Sequence, residues 1–282
     1  MKDLIRDEIK KFMLESKANW FEEINDHYYD EPIVKFASVD DPLFEEYKTV
    51  IGSNHLTPKE AFEMAFGKNT FNGGTVISVV IPINEKIRKS NALQKECASK
   101  EWTLLRTFGD EIVGKEFTQY IEDFLNQMGH RTVAPSRTEW FKIYGSASGI
   151  SSNWSERHIA YAAGLGTFGI NDGFITEKGT AIRLASFVTD LKMIPDVREA
   201  KSHTENCLSY SICGACIKRC PVGAISRDGH DKIKCYKNCY GEESRKLAVS
   251  YGGNPEAGSG CGLCQTNVPC ECKNPVTKCG IA

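Results

Sequence analysis

Eleven of the twelve cysteines in this 282-residue chain fall between Cys207 and Cys279, and only Cys97 lies outside that stretch. The densest run is CLSYSICGACIKRCP, in which Cys207, Cys213, Cys216 and Cys220 precede Pro221. A C-x2-C turn lets two thiolates reach one inorganic centre, and an x3-C-P extension carries the last sulfur to a neighbouring one. The usual first cysteine, three residues before Cys213, is Tyr210 here, and Cys207 is near enough in sequence to replace it. The answering run, GCGLCQTNVPCEC, supplies Cys261, Cys264, Cys270 and Cys272, while KCYKNC between the two supplies Cys235 and Cys239. Crosswise ligation predicts that Cys207, Cys213, Cys216 and Cys270 hold one 4Fe-4S cubane, and that Cys220, Cys235, Cys261 and Cys264 hold a second. Cys239 competes with Cys235, and Cys272 with Cys270; Cys97 and Cys279 are left over. Structural zinc is the rival reading, because C-x2-C pairs also form zinc knuckles. A disulfide framework ranks behind both in a reducing compartment. Two adjacent clusters imply one-electron transport, in a direction the ligands alone leave open.

This asymmetry in cysteine divides the chain into residues 1–195 and a cysteine-rich part, 196–282, with MIPDVREAKSHTEN as the link. A hydrophobic content of 41%, a charged content of 26% and a formal charge of -2 describe an ordinary globular composition with no whole-chain attraction to nucleic acid or anionic lipid. The amino end alternates charge with Leu4, Ile5, Ile9, Phe12 and Met13, which predicts an amphipathic helix. It lacks the apolar run of a signal peptide and a twin-arginine pair, and no stretch is long enough to span a bilayer, so the expected location is the cytoplasm, without membrane contact.

In the first part, GTVISVVIPI (74–83) reads as a strand buried on both faces. Val113, Phe117, Tyr120, Ile121, Phe124, Leu125 and Met128 fall at helical spacing, and Gly129 supplies a left-handed stop. GFITEKGTAIRLASFVTD predicts a hairpin around Glu177-Lys178-Gly179. These patterns give an α+β or α/β class. GLGTFG, from Gly164 to Gly169, spells G-x-G-x-x-G, a dinucleotide fingerprint only where a strand enters it and a helix leaves it. Here Trp154, His158, Tyr161 and Leu165 predict a helix entering the glycines, so a helix stop with close backbone packing is the favoured reading.

Among candidate proton donors, His158 comes first, against the alternative of a hydrogen-bonded core histidine. Glu156 and Arg157 fall off the apolar face and read as solvated or paired. Arg183 alternates with apolar neighbours in a strand, where it could hold an anionic group or cap a sheet face. Cys97 reads as an inert thiol.

The ordered combination SNWSERHIAYAAGLGTFGIND, FVTDL, CGACIKRCPVGAI and GCGLCQTNVPCE resembles the epoxyqueuosine reductases and their relatives the reductive dehalogenases over about residues 150–272. The resemblance implies an α+β, nitroreductase-like domain that holds cobalamin, followed by a small ferredoxin-like domain with two 4Fe-4S clusters. It implies Gly164 and Gly166 as a backbone wall near the corrin, with Arg183 beside it. It also implies a small electron-donor protein, a ferredoxin or flavodoxin, and a small-molecule or modified-nucleoside substrate. Epoxyqueuosine reductases carry a proton-donating aspartate before the helix that leads into AGLG, yet GSASGISSNW contains neither Asp nor Glu. The substrate stays open, and an electron-transfer protein without corrinoid is the alternative.

Overall fold

The computed structural model describes residues 1–146 and 149–276. Helix α1 (Lys2–Glu15) buries Ile5, Ile9, Phe12 and Met13, the stripe expected of an amphipathic helix, while Leu4 lies off that stripe and is exposed. Strands β1 (Ile33–Ser38), β2 (Thr75–Pro82) and β3 (Thr132–Val133) belong to the main sheet. Further along come helices α2 (Thr118–Gln127) and α3 (Glu156–Ala162), a small pair formed by β4 (Gly166–Phe168) and β5 (Phe174–Thr176), and the long strand β6 (Ile182–Thr189).

The main sheet has the order β1-β2-β6-β3 and is antiparallel throughout, with Ile182 opposite Pro82 and Thr189 opposite Thr75. Every residue of β2 is buried. Side chains alternate across a strand, so Ile77, Val79 and Ile81 face one way, into a core with Phe187, Phe117 and the stripe of α1. Val76 and Val80 face the other way, onto Phe44, Phe62, Trp154 and Ile159. The continuous apolar run in the sequence is therefore the signature of a central strand covered on both faces. The architecture is mixed α/β, with helices on each side of the sheet.

The helix expected from Val113 is the second half of a longer rod. It starts at Lys100–Leu104, passes through two π-helical stretches, Leu105–Gly109 and Ile112–Phe117, and ends in α2. Gly129 takes φ 85°, the left-handed stop the sequence predicted. Asp110 sits between the two widened stretches, a backbone irregularity that recurs at functional sites.

Two local expectations are corrected. Residues 173–190 do not form a hairpin, because β5 pairs with β4 while β6 pairs with β2 and β3. The turn itself exists, with Thr176 and Gly179 exchanging main-chain bonds at 3.0 Å, and the C-terminal cysteine segment packs closely on it: a Cβ on Gly179 would stand 2.3 Å from the Glu271 carbonyl. The helix before AGLG is also shorter than expected; Trp154 precedes it, Ser155 is its N-cap, and Gly164 stops it at φ 75°.

The cysteine-rich part has little apolar material. It contains helices α4 (Ala215–Arg219), α5 (Lys232–Tyr240) and α6 (Glu242–Ser250), and α4 contributes Cys216 to a small core cluster with Ile170, Ile225 and Val268. So small a core needs an additional staple such as a metal centre. The preceding link runs along the sheet-bearing part, where Asp196 pairs with Arg6 at 3.2 Å and accepts from the Phe36 N–H at 3.0 Å, and Arg198 pairs with Asp41 at 2.8 Å. Among the described residues, no helix is long and apolar enough to cross a membrane.

Phe187 is fully buried at the centre of the sheet. Phe187→Ala is expected to lower unfolding free energy by roughly 3–5 kcal/mol, read from the urea midpoint at unchanged m-value.

Candidate metal centre

The first thiol group is assembled from three places in the chain. Cys213 and Cys216 flank the start of α4, where the Ala215 N–H points at the Cys213 sulfur at 3.5 Å. Cys207 precedes a short 3-10 turn, Leu208–Tyr210, that folds the chain back toward α4. Cys270 arrives from the far end, held by main-chain bonds from Thr180 N–H to its carbonyl at 2.8 Å and from Ala181 N–H to the Glu271 carbonyl at 3.0 Å. Arg88 adds an ion pair to Glu271 at 3.0 Å. These four cysteines line one small pocket together with apolar side chains such as Ile175 and Val268. Gly169 and Asn171 also line it, so the last glycine of GLGTFG borders thiols. Cys272 is exposed and does not line the cavity.

The second thiol group comprises Cys220, Cys235, Cys239, Cys261 and Cys264. Cys235 and Cys239 lie one turn apart on α5, with sulfurs 4.0 Å apart. Cys261 has Cys235 and Cys220 as electrostatic neighbours, and Cys264 has Cys261 and Cys235. Cys220 accepts from the Ala224 N–H at 3.1 Å. The loop carrying Cys261 and Cys264 is seated on Trp102, whose indole N–H donates to the Gly260 carbonyl at 2.6 Å, and a Cβ on Gly262 would stand 2.2 Å from the ring. Gly262 also has φ 67°, so both conformation and space require glycine there.

Protonation follows from these surroundings. Burial pushes the thiols of Cys261 and Cys270 up to about 11 and about 12, and neighbouring thiols push in the same direction. Burial also raises Cys264 and Cys216. Empty, these sites favour thiols; loaded, they must release protons. Cys235 differs: the hydrogen bond with Cys239, and then His230, hold it low, while Cys239 is pushed up. His230 is raised to about 9, first by its bond to Asp172 at 3.1 Å and then by Cys235. Cys235 thus ionises ahead of Cys239.

The donor set fits an iron–sulfur centre: sulfur ligands only, apolar walls and main-chain N–H groups aimed at sulfur. Among the described residues, no group of three His, Cys, Asp or Glu side chains converges tightly enough to hold a single metal ion. Cys97 is exposed on the rim of a separate open groove whose wall includes Cys261, and Cys279 lies outside the described residues.

The remaining sequence candidates do not share a cavity. His158 is enclosed by the rings of Phe168 and Tyr47, at centroid distances of 4.7 and 5.0 Å, and its Nδ1 meets the Ser155 hydroxyl at 2.8 Å. Burial, and then the nearby His55, push it down to about 3, which favours the neutral ring. A Cβ on Gly164 would strike the Arg198 main chain at 2.9 Å, and one on Gly166 the Ile175 carbonyl at 2.2 Å. Their bare faces are packed by the chain itself. Arg183 neither caps an exposed face nor holds a free charge: its Nε donates to Asp110 at 2.7 Å, over the Trp102 ring. Arg106 also pairs with Asp110 and donates to the Tyr240 hydroxyl at 3.1 Å. Burial opposes ionisation of Asp110, yet Arg183 and Arg106 together hold it below the usual carboxylate range. The residues expected to face a corrin therefore do not fit one as a set.

Sequence reasoning missed Asp110, His230 and Glu156. Arg106 and Asp110 stand at helical i, i+4 spacing, a legible signal. Glu156, expected to be solvated or paired, has both carboxylate oxygens enclosed near Ser136 and Ser186, and burial raises its pKa. Arg157 is exposed, as expected.

The fold is that of the epoxyqueuosine reductases and reductive dehalogenases. An epoxyqueuosine reductase from Streptococcus thermophilus matches with a TM-score of 0.52 and 16% identity, over 98% of this chain and 68% of its own. An epoxyqueuosine reductase solved with an epoxyqueuosine-modified tRNA stem loop matches with a TM-score of 0.52 and 16% identity, over 96% of this chain and 65% of its own. A catabolic reductive dehalogenase matches with a TM-score of 0.54 and 16% identity, over 86% of this chain and 30% of its own. By sequence, the tetrachloroethene reductive dehalogenase of Desulfitobacterium hafniense is 34% identical over 87 residues, 30% of this chain and 15% of the relative. The chain thus spans only part of the relatives it matches. No family model matches it.

His158 takes up a proton near 6.5 when unfolded and near 3 when folded, so unfolding binds protons between those values and stability falls as pH drops through that window. His158→Asn is expected to flatten the decline in melting temperature between pH 6.5 and 4, leaving the share of His55, which burial lowers to about 4. An unchanged slope would refute the buried neutral assignment.

Proposed function

We propose that this chain is an iron–sulfur oxidoreductase that passes single electrons through two 4Fe-4S clusters toward reductive chemistry on a small-molecule or modified-nucleoside substrate. The observation that carries the reading is the cavity walled by Cys207, Cys213, Cys216 and Cys270, drawn from segments more than fifty residues apart. Those four would hold one cluster; Cys220, Cys235, Cys261 and Cys264 would hold the other. The clusters supply one-electron transfer. The chain's own share is to provide thiolates, exclude water with apolar walls, and direct N–H groups at sulfur, as Ala215 and Ala224 do at 3.5 and 3.1 Å. Such bonds stabilise the more reduced, more negative state.

Residues 1–195 would then be the nitroreductase-like cofactor domain and 196–282 the ferredoxin-like one, supplied by a small ferredoxin or flavodoxin in a reducing, cytoplasmic compartment. Relatedness in fold to reductases supports the enzyme class. Cobalamin is the group the resemblance implies for the first domain, but the residues assigned to it are occupied by protein contacts. That occupation, above all the neutralised Arg183 and the packed faces of Gly164 and Gly166, favours the second reading: an electron-transfer protein that relays charge to a partner without bound corrinoid.

Anaerobic purification with iron, sulfide, zinc and cobalt analysis tests both. About eight iron atoms per chain are expected, two cubanes of four. Cobalt retained through gel filtration after incubation with cobalamin separates the first reading from the second. Cys235→Ser should lose about half of the iron, and Cys239→Ser should retain nearly all of it. Zinc in place of iron, or a colourless oxygen-free preparation, would falsify the redox account.

A further inference from the structure

Arg219 ends α4, directly before Cys220 and three residues after Cys216. Its guanidinium is half-buried and tied entirely to main-chain carbonyls: Nε to Leu263 and Thr266, both at 3.2 Å, Nη1 to Gln94 at 2.7 Å and Nη2 to Asn91 at 3.4 Å. Leu263 immediately precedes Cys264. The side chain therefore crosses from the helix shared by both thiol groups to the loop that carries the second. Among the described residues no carboxylate pairs with it, whereas Arg88, Arg106 and Arg183 each pair with one. Arginine keeps its charge at any pH where the fold survives, and a partly desolvated cation held only by carbonyl dipoles is a charge in want of an anion.

We propose that Arg219 is the fixed counter-charge of the cluster pair and raises its reduction potential. This rests on the two-cluster reading above. Four thiolates around an inorganic core leave a negative assembly, and one-electron reduction adds a further negative charge without forming or breaking a bond. A cation that cannot move away stabilises the reduced state more than the oxidised one. Arg219 is in this sense a positioning residue for electrons: it touches no substrate, and its effect reaches the chemistry through the potential.

The test is an anaerobic, EPR-monitored redox titration of the full chain with its clusters, in wild type, Arg219→Lys and Arg219→Gln. The glutamine variant is expected to weaken the one-electron reduction equilibrium about tenfold, a fall of ~59 mV, at unchanged iron content. The lysine variant, which keeps the charge and loses the fork, should stay near wild type. Unchanged potentials in Arg219→Gln, with only a lower melting temperature, would mean that the side chain merely clamps two loops, and would overturn the proposal. If Arg219→Gln takes up no iron, the lysine variant decides: iron retained supports a requirement for charge, and iron lost in both points to the fork alone and overturns it. Wild-type protein without iron would instead overturn the two-cluster reading, before any variant is compared.

Discussion

Main-chain hydrogen bonds from Thr180 and Ala181 to the carbonyls of Cys270 and Glu271 carry the last thiol to a wall that Cys207, Cys213 and Cys216 have already begun. These bonds begin where β6 begins, so the position of Cys270 is inherited from the rigid central sheet. Gly179 makes the approach possible, because any side chain there would meet the main chain of Glu271 and Cys272. The cavity exists because a strand-turn in one part of the chain accepts a loop from the other.

The second thiol group depends on the same kind of support. Its loop rests on Trp102 through Gly260 and Gly262, and Trp102 belongs to the rod that also carries Arg106 and Asp110. The rod's π-helical stretches frame Asp110, which binds Arg183 from the sheet and Arg106, and Arg106 in turn reaches Tyr240 beside Cys239. A half-buried acid with two arginines and the Tyr240 hydroxyl links the sheet to the cysteine-bearing helix. Charge-assisted bonds of this kind are stronger than neutral ones and hold the participating elements together. They also explain why Arg183 is unavailable to an anionic ligand.

The electrostatics of the cysteine-rich part are divided. Burial favours the protonated thiols of Cys216, Cys261, Cys264 and Cys270, while the hydrogen bond with Cys239 and then His230 favour the thiolate of Cys235. Loading such a site couples metal uptake to proton release. Arg219, at the end of the helix that carries Cys216, is bonded to the main-chain carbonyls of Leu263 and Thr266 in the loop that carries Cys264.

Much of this was legible in the residues alone. The spacing of Cys207 to Cys220 and of Cys261 to Cys270 foretold two thiol groups, since local C-x2-C geometry requires only short-range chain bending. The buried run of β2, the stripe of α1 and the left-handed Gly129 were equally plain, because periodicity and steric preference are local properties. Three matters needed the tertiary structure. The strands on either side of the closed Thr176–Gly179 turn did not pair with each other, because β5 pairs with β4 and β6 pairs with β2, a strand distant in sequence. Gly164 and Gly166 proved to pack against Arg198 and Ile175, and His158 proved to be enclosed and neutral, since burial is decided by what arrives from elsewhere in the chain. The choice of Cys270 over Cys272 at the cavity wall was decided by which of the two followed a docked main chain inward, a question of three-dimensional direction that residue spacing does not contain.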